Sequence, residues 1–126
     1  MRTRIEQMAT AITAYHNCVR SGNHQWATNW EFKVSELMNG APSGSGFDGV
    51  TGIDIEKSSN MKLVLHTEYH HMNAAGYYDG WTEHTVTVLP TLTGPTLKVS
   101  GINRNGVKEY ILDVFYEWLE ERVEMP

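Results

Sequence analysis

The feature that most limits the fold is a change of hydrophobic period in the middle of the chain. Over residues 62–72 the side chains alternate, with Leu63, Leu65, Thr67, Tyr69 and His71 on one face and Val64, His66, Glu68 and His70 on the other. A period of two belongs to an extended strand with one face buried. Residues 82–89 repeat it, setting His84, Val86 and Val88 against Glu83, Thr85 and Thr87, and Pro90 then ends the strand or marks it as an edge. Residues 96–102 supply a third strand with Leu97 and Val99 inward. The Asn, Gly and Asp residues within 73–81 suit a hairpin connection between the first two. The pattern predicts a three-stranded antiparallel sheet over 62–102, polar on one face and covered by helices on the other.

The flanks supply those helices. Ile5, Met8, Ile12, Tyr15 and Val19 recur at spacings of three and four, and Ser21-Gly22-Asn23 adds a glycine stop followed by an Asn cap. Trp26, Trp30, Val34, Leu37 and Met38 define a second helix closed by Asn39-Gly40, so residues 2–39 read as a helical hairpin. A glycine-rich loop is expected over 40–56. Its first part, 40–52, is expected to hold no regular element, and it lacks the Lys-Ser/Thr ending of a phosphate-binding P-loop. The last helix is predicted over 104–124, capped by Asn103 or Asn105. Its apolar residues Val107, Ile111, Val114, Phe115, Trp118 and Leu119, extended by Leu112 and Val123, cover more than one stripe. Such an arc implies burial on two sides, by the sheet and by the helical hairpin or a second subunit. The expected fold class is α+β, with an N-terminal helical hairpin, a three-stranded antiparallel sheet and a long C-terminal helix packed on the sheet.

A chain of 126 residues is enough for one domain, 1–126, with a real core. Its net charge is −5 and its ten Lys and Arg are scattered, which argues against direct nucleic-acid binding. No apolar run is long enough to span a bilayer, and the opening residues lack a hydrophobic signal region, so no membrane partner is expected. Cys18 is the single cysteine and cannot form an internal disulfide, as suits a reducing, cytoplasmic setting.

Chemistry concentrates between His66 and His84. Four of the six histidines fall there, among Glu68, Asp79 and Glu83 and the aromatics Tyr69, Tyr77, Tyr78 and Trp81. His66, His70, His71 and His84 are the residues that a divalent metal would use. Strand parity opposes that use, because His71 and His84 share the inward face while His66 and His70 share the outward one. His66 and His70 also lie roughly 13 Å apart, at about 3.3 Å per residue. Catalysis has no better support: Glu83 and His84 point to opposite faces, and no Ser-His-Asp or Cys-His arrangement has local support in the sequence. No cofactor is expected. Recognition fits the residue types best. The candidate surface comprises Phe47 and Asp48 in the glycine-rich loop, with His70, His71, Asn73, Tyr77, Tyr78, Asp79, Trp81 and His84 on the hairpin. Asn103, Arg104 and Lys108 at the start of the last helix add donors, where a small nucleotide-like anion would fit. The bland alternative is that these His and Tyr side chains only hold a loop. A stripe of carboxylates, Glu109, Asp113, Glu117, Glu120 and Glu124, reads either as a solvated helix face or as a mimic of a phosphate backbone.

These same residues carry a resemblance. PSGSGFD at 42–48, Tyr69-His70-His71-Met72-Asn73, GYYDGWTEHTVTV at 76–88 and GINRNGVKEYI at 101–111 resemble a family of small, largely uncharacterised proteins of phages, prophages and related mobile elements. AYHNC at 14–18 and Ser21-Gly22-Asn23 extend the likeness over most of the chain, and DGVTGID at 48–54 departs from it. The resemblance implies a non-enzymatic binding protein in the host-cell cytoplasm, a counter-defence inhibitor that blocks a host defence protein or sequesters a nucleotide signal. The alternatives are a metal-assisted hydrolase or nuclease on the histidine cluster, and an oligomeric accessory phage protein such as a homodimer.

Overall fold

Thr3 sets the start of the first helix: its hydroxyl accepts from the Glu6 N–H at 3.2 Å, the Thr-x-x-Glu arrangement of a capping box. The computed structural model describes residues 2–43, 46–91 and 93–124, without the side chains of 48–51. Its elements run β1 (Arg2–Thr3), α1 (Arg4–Arg20), α2 (His24–Leu37), β2 (Phe47–Ile53), β3 (Leu63–Met72), β4 (Tyr78–Leu89), β5 (Thr96–Val99), α3 (Val107–Glu120) and β6 (Arg122–Val123). Gly22, at φ +77, breaks the chain between α1 and α2, and the Asn23 side chain accepts from the Trp26 N–H as the new cap.

The fold is α+β, but the expected three-stranded sheet is a four-stranded one. All its neighbours are antiparallel, in the order β2-β3-β4-β5. The added strand β2 lies where no regular element was expected. Buried Phe47 pairs with Tyr69 across β3, a bulge separates it from Thr51, and Gly52 and Ile53 then pair with His66 and Leu65. An edge strand tolerates glycine and a bulge where a central strand would not. The first hairpin also closes earlier than its sequence suggests. Asn73 organises a tight turn, so Tyr78, Asp79, Gly80 and Trp81 belong to β4 rather than to a connection.

The last helix is shorter at both ends than 104–124. Arg104–Gly106 form one 3-10 turn in which Asn105 and Gly106 take left-handed φ of +56° and +72°, so the α-helix begins only at Val107. At the other end Glu121 is extended, and β6 pairs antiparallel with β1 as a second, two-stranded sheet. β5 likewise ends at Val99 rather than 102, because Gly101 turns the chain with φ +98.

The inward face of the sheet, with Leu63, Leu65, Val86 and Val88, joins Met8, Ile12, Val34 and Leu37 of the helical hairpin in one core. Val107, Ile111, Phe115, Trp118 and Leu119 of α3 belong to the same core and Val114 and Val123 pack against it, whereas Leu112 of the expected arc is half-buried and outside it. Trp26, expected on the apolar side of α2, is 56% exposed, and Ala27 is buried in its stead. No helix among the described residues is long and apolar enough to cross a membrane.

Candidate functional site: the hairpin end and the cleft behind it

Strand parity places His71 and His84 inward, both 3% exposed, with Thr82 between them. The Thr82 hydroxyl lies 2.8 Å from His71 Nε2 and 2.6 Å from His84 Nε2, and His84 Nδ1 lies 2.9 Å from the Ser100 carbonyl oxygen. A carbonyl only accepts, so Nδ1 of His84 carries the hydrogen. With both rings neutral, Nε2 of His84 then accepts from the Thr82 hydroxyl, whose oxygen accepts from Nε2–H of His71. One backbone carbonyl thereby fixes the direction of the whole buried chain. Burial, above all, holds His71 below the usual histidine range, with the nearby Arg104 and His84 adding to the effect.

The opposite face of the hairpin is open. Across β3 and β4 the outward rows pair His66 with Thr85, Glu68 with Glu83, and His70 with Trp81. Beyond a second bulge Met72 faces Tyr78, whose hydroxyl lies 2.9 Å from Nδ1 of His70. Met72, Tyr77, Tyr78 and Trp81 are 59%, 73%, 57% and 57% exposed. Asp79 binds Arg104 through both its carboxylate and its carbonyl, which ties the hairpin end to the turn before α3.

Between these parts lies a cleft of about 280 Å³, lined by Tyr69, His71, Arg104, Val107 and Tyr110 among others. Phe47 packs behind it, with ring centroids 5.3 Å from Tyr69 and 5.7 Å from Tyr110.

The fold thus brings Phe47, His70, His71, Tyr78, Asp79, Trp81, His84 and Arg104 to one end of the sheet. Three other candidates hold local structure. The Asn73 carboxamide oxygen accepts from the N–H groups of Ala75 and Tyr77, Asn103 binds Glu109 and the Lys108 N–H, and Lys108 takes part through that backbone group. Tyr77 stands exposed in the turn. The side chain of Asp48 lies outside the described residues. The metal candidates divide as parity requires, and the described residues contain no group of three His, Cys, Asp or Glu placed to hold an ion. Thr82, Ser100 and Tyr110 were not in the candidate set. Parity alone could have found Thr82, two residues before His84 on the same face, whereas Tyr110 joins the cleft only because β2 forms. No protein-family model, curated protein or solved structure matches the chain.

Proposed function

We propose that this chain is a non-enzymatic binding protein that docks a partner protein on the open end of the β3–β4 hairpin, and that it acts as a phage-type counter-defence inhibitor of a host defence protein. The observation that carries this reading is the group of Met72, Tyr77, Tyr78 and Trp81, each more than half exposed on one hairpin. Large apolar side chains gathered in water mark contact sites, and Tyr, Trp and Met are the types that interfaces enrich. The buried His71–Thr82–His84 chain and the Arg104–Asp79 pair hold the hairpin from behind, which lowers the ordering cost of binding. The phage setting comes from the resemblance of the sequence motifs. A protein partner is favoured over a nucleotide because Arg104 already serves Asp79 and the Asn103 amide already serves Glu109. Phage plating on a panel of defence-bearing hosts tests the proposal. Expression of the chain should restore plating on at least one host, and the double variant Tyr78→Ala/Trp81→Ala should lose that effect while remaining folded. Failure to restore plating anywhere would overturn the counter-defence role, and full activity of the variant would overturn the surface.

A further inference from the structure

We propose that the cleft between Tyr69, His71, Arg104 and Tyr110 binds a small neutral planar ring that donates an N–H or O–H hydrogen bond to Nδ1 of His71. The argument starts at the far end of the buried chain. The Ser100 carbonyl oxygen can only accept, so with neutral rings His84 donates to it, Thr82 donates to His84, and His71 donates through Nε2 to Thr82. That leaves Nδ1 of His71 as a bare acceptor. His71 is 3% exposed and lines the cleft, and Nδ1 has no hydrogen-bond partner among the described residues. Nδ1 itself is not fully buried, so the cleft is chemically asymmetric: at this one point a ligand's donor can take the place of water.

The remaining walls define the rest of the ligand. Tyr69 and Tyr110 offer ring surfaces, and their centroids lie 5.8 Å apart in an edge-to-face arrangement that Phe47 supports. Such walls suit a flat ring. Arg104 opposes a cationic ligand, while its pairing with Asp79 removes most of its attraction for an anion. A volume of about 280 Å³ limits the occupant to one or two fused rings. Left-handed Asn105 and Gly106 form part of the rim, so the backbone there is held in a conformation that L side chains rarely adopt.

Paired probes that differ by one methyl group on the donor atom test this on the isotope-labelled full chain by NMR: indole against 1-methylindole, and phenol against anisole. Indole or phenol should shift the signals of Tyr69, His71 and Tyr110 and move the His71 Nδ1 resonance, and each methylated analogue should bind at least tenfold more weakly. In the unliganded protein the His71 ring should show the Nε2–H tautomer. Absence of shifts with both donors, equal binding of the methylated probes, or the opposite tautomer would each overturn the proposal. The Tyr78→Ala/Trp81→Ala variant should bind the donor probes normally, so failure here is distinguishable from failure of the docking surface.

Discussion

At the scale of the residue, two arrangements carry measurable consequences. The pKa of His71 is lowered by its burial first, then by Arg104 and His84 and least by His70, with Asp79 pulling the other way. Its folded pKa lies below the unfolded value of about 6.5. Protons therefore bind the unfolded chain more readily, and the contribution of this group to stability is present above about pH 6.5 and lost as pH falls through the folded value. The urea midpoint should drop between pH 7.5 and pH 5, and His71→Phe should flatten that part of the profile; parallel profiles would refute the assignment. Thr82→Val keeps the shape of Thr82 but leaves a nitrogen of each histidine without its partner, and should cost about 1–3 kcal/mol by denaturation. The outward pair Glu68 and Glu83 has the opposite sign. These carboxylates face each other across the strands, and neither β3 nor β4 contains a Lys or Arg. Glu83→Gln should raise stability by several tenths of a kcal/mol, up to about 1, and a loss of stability would show that the pair is not repulsive.

At the scale of the element, turns decide where strands begin and end, and glycine positions separate two kinds of turn. Gly76 and Gly101 both have positive φ, +84 and +98. A Cβ on Gly76 would meet nothing within 4 Å, whereas one on Gly101 would lie 2.4 Å from the Glu83 carbonyl oxygen and 2.7 Å from Nδ1 of His84. Gly76→Ala should cost about 1–2 kcal/mol, the backbone term alone. Gly101→Ala should cost at least about 1 kcal/mol more and should shift the His84 ring signals in NMR spectra, because it pushes on the end of the buried chain. Equal costs would mean that the loop moves aside freely. The same local physics explains what the sequence discloses. β3 and β4 are legible because one face is buried and the other wet, which leaves an alternating pattern, and the α1 stripe is legible for the equivalent reason. β2 is hidden because Gly49 and Gly52 and a bulge break its alternation, so only Phe47 shows as an anchor. The helix starts at Val107 rather than 104 because Asn105 and Gly106, a pair that favours turns, both take left-handed conformations. The candidate site was legible as a cluster, but its division into an open face and a buried chain requires the register of β3 against β4.

At the scale of the whole molecule, the two ends of the chain are fastened by a side chain that patterning does not reveal. Arg4 is charged, directly follows a strand of two residues, and is 5% exposed. Its guanidinium donates to the Leu37 carbonyl at 2.6 Å and to the Trp118 carbonyl at 3.3 Å, and it pairs with Glu121 at 3.2 Å. Its carbon lies 5.0 Å from the centroid of the Trp118 ring. Leu37 and Trp118 sit in the last turns of α2 and α3, where carbonyls run short of helical partners and the helix dipoles are negative; among the described residues the Trp118 carbonyl otherwise accepts only a 3.3 Å bond from the Glu121 N–H. One buried cation therefore completes two helix ends and closes the N-terminal segment onto the C-terminal one. The β1–β6 ladder and the Gln7 side chain, which donates to the Val123 carbonyl, reinforce the same junction. Arg4→Ala leaves both carbonyls without this partner and removes the cation over Trp118, while the half-exposed Glu121 is left to water, so it should cost about 2–4 kcal/mol. Arg4→Lys restores charge but not the planar fork, and should recover less than half of that loss. Hydrogen exchange would locate the effect: protection should fall first at the C-terminal turns of α2 and α3 and last in β3 and β4. Uniform loss across the chain would instead mean that the clasp and the hairpin unfold as one unit, and that the docking end cannot be loosened separately from the termini.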